Sequence, residues 1–300
     1  MSTEQSVEPM VFEHGDLRFS ARAMGEGPLV LCLHGFPDTL NTFSYQLPAL
    51  AKAGYRAISL ALRGYEPGSI PGNGDYALES IAADIIAVMD QLDVGRAHLM
   101  GHDWGAAVAY AVAAAAPERF HSLITMAVPH PGRFSREGLR ISKQLRNSWY
   151  MGFFNIPLLS DWVARRSDYA FIRKLWRDWS PSWSPETRVL EGVIDTLSQP
   201  GVLSATLGYY RAALSVKALT MSAEEAHYPI PVPTLALTGE EDGCIDSGVF
   251  ERLMVPEDVP SGLQFERISQ AGHFLHQEQP ERVNDLIVAW LMRRHDSRDE

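Results

Sequence analysis

The sequence predicts an α/β fold: a mostly parallel sheet with helices on both faces, interrupted by one helical insertion. Three observations carry this. Leu29-Val30-Leu31-Cys32-Leu33 is an unbroken apolar run of strand length, the mark of a strand buried on both faces. From there to Val128, strand and helix patterns alternate. The alternation then stops between Arg133 and about Glu225, where only helical runs are evident, and resumes at Val232.

In chain order, Val11 to Arg22 holds two polar–apolar runs around His14-Gly15-Asp16, which reads as a hairpin. Gly25-Glu26-Gly27-Pro28 is a turn into the buried strand. A helix is expected over Phe43–Ala53, ending near Gly54, then a strand over Arg56–Leu60 and a turn-rich loop over Arg63–Ser69. Apolar Ile81, Ile85, Val88, Met89 and Leu92 fall at helical spacing within Leu78–Leu92. Ala97–Met100 reads as a short strand, alanine-rich Ala106–Ala116 as a helix and His121–Val128 as a strand. After the insertion come strands over Val232–Gly239 and Phe265–Ile268, and an amphipathic helix over Pro280–Arg294. The expected division is a core of residues 1–132 and 226–300 enclosing an insertion of residues 133–225.

Composition narrows the function. Three hundred residues, 46% hydrophobic and 21% charged, suit a globular chain that buries roughly three quarters of its unfolded surface. A net charge of −11 argues against a nucleic-acid partner. Two cysteines, Cys32 and Cys244, make neither a disulfide framework nor a four-cysteine zinc site. The polar start has no apolar run of a secretory signal, and no stretch reaches the ~18 apolar residues of a spanning helix. The expectation is a cytoplasmic protein without membrane contact. Its oligomeric state is left open, a homodimer being one option.

Four motifs sit where a parallel sheet places its sites, just past the carboxyl ends of strands. Gly101-His102-Asp103-Trp104-Gly105 joins a strand to a helix in the G-x-Nu-x-G pattern of a nucleophile elbow. The turn is sharp, so small residues must flank it, and the central side chain stands at a helix N-terminus that favours negative charge. Alone, Asp103 could also be a helix N-cap, the lesser of the two readings. His34-Gly35-Phe36-Pro37 follows the first buried strand; the His34 imidazole itself reads as loop packing. Leu235–Asp242 ends a strand on a carboxylate, although Glu240, Glu241 and Asp246 are charged neighbours. Ala271-Gly272-His273-Phe274 precedes the last helix. The order Asp103, Asp242, His273 is nucleophile, acid, base.

With these motifs the sequence resembles the α/β-hydrolase superfamily, and within it the epoxide hydrolases, over nearly its whole length. His34–Pro37 resembles their HGxP loop and Gly101–Gly105 their G-x-D-x-G elbow. The resemblance implies an α/β-hydrolase fold whose insertion is a cap. It implies Asp103 as nucleophile, His273 as base oriented by Asp242, and an oxyanion hole from the backbone N–H groups of Phe36 and Trp104. Ser148–Phe154 resembles the segment carrying the first epoxide-binding tyrosine, here Tyr150; Gly208-Tyr209-Tyr210-Arg211 resembles the second, here Tyr210, with Tyr209 in place of a tryptophan. A packed core aromatic is the plainer reading of either tyrosine. Phe36, Pro37, Trp104, Trp149 and Phe274 are expected to line the substrate pocket. The sequence departs from the family at Ala61, where Asp is common, and at Glu66-Pro67.

The activity implied is addition of water to an epoxide, giving a vicinal diol, with no metal or organic cofactor. His98 and His102 flank a strand-to-turn junction rather than a helix face, which disfavours a zinc site. Haloalkane dehalogenases share the Asp–His pair, and Trp104 would suit a halide, but Phe36 stands where they commonly have a polar amide. In fluoroacetate dehalogenases an arginine follows the nucleophile; here it is Trp104. A non-catalytic ligand-binding relative would have no need of Asp103, Asp242 and His273 together. The insertion carries five of the seven tryptophans, suited to an apolar pocket but more simply to packing. It also carries 13 Lys+Arg against 9 Asp+Glu, so −15 of the charge falls on the core (−11 − 4) and the two parts are expected to dock partly by charge.

Overall fold

The computed structural model describes residues 6–215 and 228–295. The polar start Met1–Gln5 and the expected end of the insertion at 225 lie outside the described residues. Eight strands form one sheet in the order β1-β2-β4-β3-β5-β6-β7-β8. They are β1 (Glu8–His14), β2 (Leu17–Met24), β3 (Leu29–Leu33), β4 (Arg56–Leu60), β5 (Ala97–His102), β6 (Phe120–Met126), β7 (Thr234–Gly239) and β8 (Leu263–Ile268). The hairpin β1–β2 is antiparallel to its neighbours and every other pairing is parallel. All five residues of β3 are buried, as its apolar run requires of a strand covered on both faces.

The helices flanking the sheet are α1 (Gln46–Lys52), α2 (Leu78–Gln91) and α3 (Trp104–Ala115) before β6. In α2, Ile81, Ile85, Val88 and Met89 are the buried stripe. Alpha-one is shorter than the Phe43–Ala53 expectation. A 3-10 turn occupies Leu40–Phe43 and the helix starts at Gln46, because Pro48 lacks an N–H and fits only in a first turn.

Between β6 and β7 the described residues form helices: α4 (Pro131–Arg136), α5 (Ser142–Asn147), α6 (Trp149–Phe154), α7 (Leu159–Trp179), α8 (Thr187–Ser198) and α9 (Val202–Ala213). Alpha-seven breaks at Arg166–Tyr169, where Ser167, Asp168 and Tyr169 take left-handed backbone angles. After β7 come α10 (Ser247–Leu253), α11 (Leu275–Glu278) and α12 (Pro280–His295). Among the described residues, two ion pairs tie the inserted helices to the sheet domain: Arg133 of α4 grips Asp258 through two nitrogens, and Lys143 of α5 meets Asp246. No helix among the described residues is long and apolar enough to cross a membrane.

Candidate active site

The loops after β3, β5, β7 and β8 converge at one end of the sheet. β3 pairs with β5, whose neighbour β6 pairs with β7, and β7 pairs with β8. The elbow after β5 is tighter than its sequence suggests. The strand runs to His102, α3 begins at Trp104, and Asp103 alone makes the corner at φ 52° and ψ −120°. A side chain at φ > 0 is strained unless the surroundings enforce it. Here they do. A Cβ on Gly105 would stand 2.0 Å from the Leu33 carbonyl oxygen, and one on Gly101 2.3 Å from that of Gly105. The helix is thereby pressed against the sheet, and Ala106 and Ala107 N–H donate to the Asp103 carbonyl at 2.9 and 3.1 Å.

The Asp103 carboxylate is buried and accepts the Phe36 N–H at 2.7 Å. A Cβ on Gly35 would fall 2.4 Å from the same oxygen, so glycine there lets the loop backbone reach the carboxylate. The second oxygen, Oδ2, faces His273 Nε2 at 3.5 Å. On the other side of the ring, His273 Nδ1 pairs with Asp242 Oδ2 at 3.0 Å. Asp242 is itself fixed by the N–H groups of Cys244 (2.7 Å) and Ile245 (3.0 Å). Burial opposes a charge on His273, but Asp242, the Cys244 thiol and Asp103 outweigh it and raise its pKa well above the ordinary histidine value. The three residues thus lie side by side, with His273 between Asp103 and Asp242.

Tyr150 and Tyr210 are also brought here. Both are buried, with ring centroids 5.7 Å apart, and both line a cavity of about 250 Å³ with Asp103, Trp104, Met151 and Cys244. Burial, reinforced by neighbouring ionisable groups that include Asp103, pushes both phenols well above their usual pKa, so each keeps its proton. The Tyr150 hydroxyl lies 3.2 Å from Cys244 Sγ. The buried Tyr210 hydroxyl has no hydrogen bond of standard geometry; the indole of Trp104 stands edge-on at 5.1 Å between centroids, close enough to act on it electrostatically.

Four of the expected pocket residues are placed otherwise. The Phe36 ring packs edge-on against Phe154 and Tyr210, leaving its backbone N–H as its contact with Asp103. The Pro37 carbonyl accepts the Trp176 indole N–H at 2.9 Å. Phe274 stacks on Trp176 at 3.8 Å. Trp149 turns outward, 51% exposed, against Phe153 and Phe171. None of the four lines the cavity; only Trp104 of that set does. Nor do the tryptophans of the insertion: Trp176 and Trp179 are buried packing, and Trp162 is exposed. His34 packs as expected. Burial lowers its pKa to about 4, Nδ1 lies 3.1 Å from the Gly35 carbonyl oxygen, and Nε2 accepts the Leu62 N–H at 3.1 Å.

Several site residues have no signal in the sequence. The Trp179 carbonyl accepts the N–H groups of both His273 and Gly243 at 3.0 Å, so the end of α7 holds the acid and base loops together. Ser180 Oγ accepts the His273 N–H at 3.0 Å and donates to Glu278 at 2.7 Å. Buried Asp38 accepts from Thr39 N–H, Thr42 and Gln277. Each contact joins residues far apart in the chain or a loop to itself, which no periodicity reports. Asp246 was readable: its carboxylate caps α10 by accepting the Gly248 and Val249 N–H groups, and Asp before Ser-Gly-Val is a helix-start pattern. Among the described residues, Asp103, Cys244 and His273 alone offer metal-ligating atoms that all lie within 4.8 Å of one another. His98 and His102 part company: His98 pairs with Ser122 and His102 with the His273 carbonyl.

Comparison with known proteins gives the fold and the family. Residues 28–280 match the family described as the alpha/beta hydrolase fold. Epoxide hydrolase 4 of Mus musculus is 34% identical over 283 residues, covering 92% of this chain and 76% of that protein. The crystal structure of a Bacillus megaterium epoxide hydrolase in complex with an inhibitor superposes with a TM-score of 0.82 at 26% identity, over 94% of this chain and 99% of that one. That of a Vigna radiata epoxide hydrolase gives 0.81 at 24% identity, over 96% and 98%, a likeness of fold. The chain is a hydrolase of the α/β-hydrolase superfamily and belongs, within it, to the epoxide hydrolase family.

Proposed function

We propose that this enzyme adds water to an epoxide to give a vicinal diol, through an ester on Asp103. The observation that carries the reading is the pairing of a buried, ready-made carboxylate nucleophile with two protonated phenols in one cavity. An ionised carboxylate needs no base, so Asp103 attacks an epoxide carbon directly. The oxygen that leaves is strongly basic, and Tyr150 and Tyr210 meet it with hydrogen bonds and a proton. Ester formation removes the negative charge 3.5 Å from His273, one of the influences favouring its imidazolium. The imidazolium then gives up its proton, replacing the one the tyrosine lost; the neutral imidazole, held by Asp242, takes a proton from water as it attacks the ester carbonyl and returns it to the diol oxygen as the C–O bond of the ester breaks. The N–H groups of Phe36 and Trp104 stabilise the resulting oxyanion; Phe36 N–H already meets Asp103 Oδ1 at 2.7 Å.

In this reading residues 133–225 form the cap over the core of residues 1–132 and 226–300. It contributes Tyr150 from α6 and Tyr210 from α9, and epoxide and water are the partners. The 250 Å³ cavity, lined mostly by apolar side chains, suits a small apolar epoxide. A panel of small, bulky and aromatic epoxides assayed for diol, beside haloalkanes assayed for halide release, tests it. Diol formation with no halide release is expected. Halide release without diol would transfer the assignment to a dehalogenase using Trp104.

A further inference from the structure

Cys244 has no part in that reaction, yet its thiol sits in the reacting cavity. Its sulfur, a carboxylate oxygen of Asp103 and a ring nitrogen of His273 all lie within 4.8 Å of one another, and all three residues are buried. His273 Nε2 makes no hydrogen bond of standard geometry and faces Asp103 Oδ2 at 3.5 Å. Zinc bonds sulfur at about 2.3 Å and nitrogen or oxygen at about 2.0–2.2 Å, so donors around one tetrahedral ion stand roughly 3.3–3.8 Å apart. Asp103 Oδ2 and His273 Nε2, at 3.5 Å, are already at that spacing, and small side-chain rotations bring in the sulfur.

We propose that the resting active site is also an inhibitory site for a thiophilic divalent cation, held by Asp103, His273 and Cys244. The carboxylate and the thiolate together neutralise the ion and so offset the cost of burying it; the thiol proton and the proton on His273 Nε2 both leave to solvent as the metal–sulfur and metal–nitrogen bonds form. The Tyr150 hydroxyl, 3.2 Å from the sulfur, or a water completes four donors. Softness of the thiolate selects zinc or cobalt over magnesium. A cation so held occupies the oxygen that would attack the substrate, so substrate and metal exclude one another.

The test uses the whole enzyme in a chelator-free, weakly coordinating buffer. Zn2+ is titrated against turnover, and Co2+ binding is followed separately by absorption. Zn2+ should inhibit in competition with substrate, a chelator should restore activity, and Mg2+ at equal concentration should do nothing. Co2+ should give a thiolate-to-cobalt charge-transfer band. Cys244→Val and Cys244→Ser, each compared with its own metal-free rate, should lose the band and need at least about tenfold more Zn2+, the smallest loss seen even for outer-shell partners. The other cysteine, Cys32, is buried in β3 with its sulfur on the Val30 carbonyl, and Cys32→Ser should keep the band. Equal Zn2+ sensitivity in wild type and both Cys244 variants, or bound cobalt without the band, would overturn the proposal. The cobalt spectrum reads binding whatever the substrate, so it stands or falls apart from the epoxide reading.

Discussion

At the residue scale, Tyr150 and Tyr210 are alike in burial but not in company. The Tyr210 hydroxyl is held only by the Trp104 indole, outside standard hydrogen-bond geometry, whereas that of Tyr150 must part from Cys244 Sγ when an epoxide oxygen arrives. Both Tyr→Phe variants should slow ester formation, with Tyr210→Phe nearer the upper end of the ~10²–10⁴-fold range for general acids. Single-turnover rates would check this; an unchanged rate in either variant rejects that tyrosine. Asp38 makes a prediction about pH. Burial raises its pKa to about 7, against about 3.9 for an unperturbed aspartate. Between those values the folded chain holds a proton that the unfolded chain has lost. The stability Asp38 contributes is therefore complete below about pH 4 and disappears as pH rises through about 7. Thermal melts across this window should show wild type losing stability relative to Asp38→Asn as pH rises. Parallel curves would remove Asp38 as the source. That Asp103, Asp242 and His273 meet was legible because each follows a strand in a recognisable loop. Asp38 and Cys244 were not, since their burial is decided by contacts such as Gln277 on Asp38 and Tyr150 on Cys244, far apart in sequence.

At the element scale, the elbow depends on helix α3 lying against strand β3. Gly105→Ala places a methyl carbon 2.0 Å from the Leu33 carbonyl oxygen, backbone that cannot swing aside. The helix must back away, at a cost at or above the ~1–3 kcal/mol of ordinary overpacking. Chemical denaturation should show that loss, and activity should fall further because Asp103 rides on the same turn; full stability would contradict the packing account. Helix α4 offers a second test. Arg133 grips Asp258, whose carboxylate is 2% exposed, while the Arg133 side chain is 23% exposed. Arg133→Ala should cost about 2–3 kcal/mol, below the ~3–5 of a fully buried pair, because solvent partly screens the arginine. No loss would mean Asp258 is sufficiently held by its other contacts. Elements with strong periodicity, β3 and α2 above all, were readable to within a residue or two. The expected start of α1 at Phe43 falls early because Pro48, lacking an N–H, confines the helix start to the turn before it. Alpha-ten was missed because its seven residues are too few for a period to show.

For the whole molecule, charge and topology point the same way. The sequence places a surplus of basic residues on the insertion and the acidity on the core, and Arg133–Asp258 and Lys143–Asp246 cross between inserted helices and sheet domain with that polarity. A second join is neutral: the carbonyl of Trp179 accepts the N–H groups of Gly243 and His273, from the two loops that carry Asp242 and His273. The inserted helices therefore bring Tyr150 and Tyr210 to the cavity and also join the loops of Asp242 and His273. The order of motifs along the chain predicts which loops meet. It cannot report Trp179, because a backbone carbonyl is the same in every residue, nor that most tryptophans pack instead of lining the cavity, since both roles ask for a large apolar ring. A covalent ester on Asp103 is the claim on which the rest depends. The most direct test is intact-mass spectrometry of His273→Gln mixed with excess epoxide, followed by peptide mapping. The variant should gain the mass of one epoxide, located on the peptide containing Asp103, while wild type shows no lasting adduct. A variant that forms diol or stays idle without ever carrying that mass would contradict the two-step scheme.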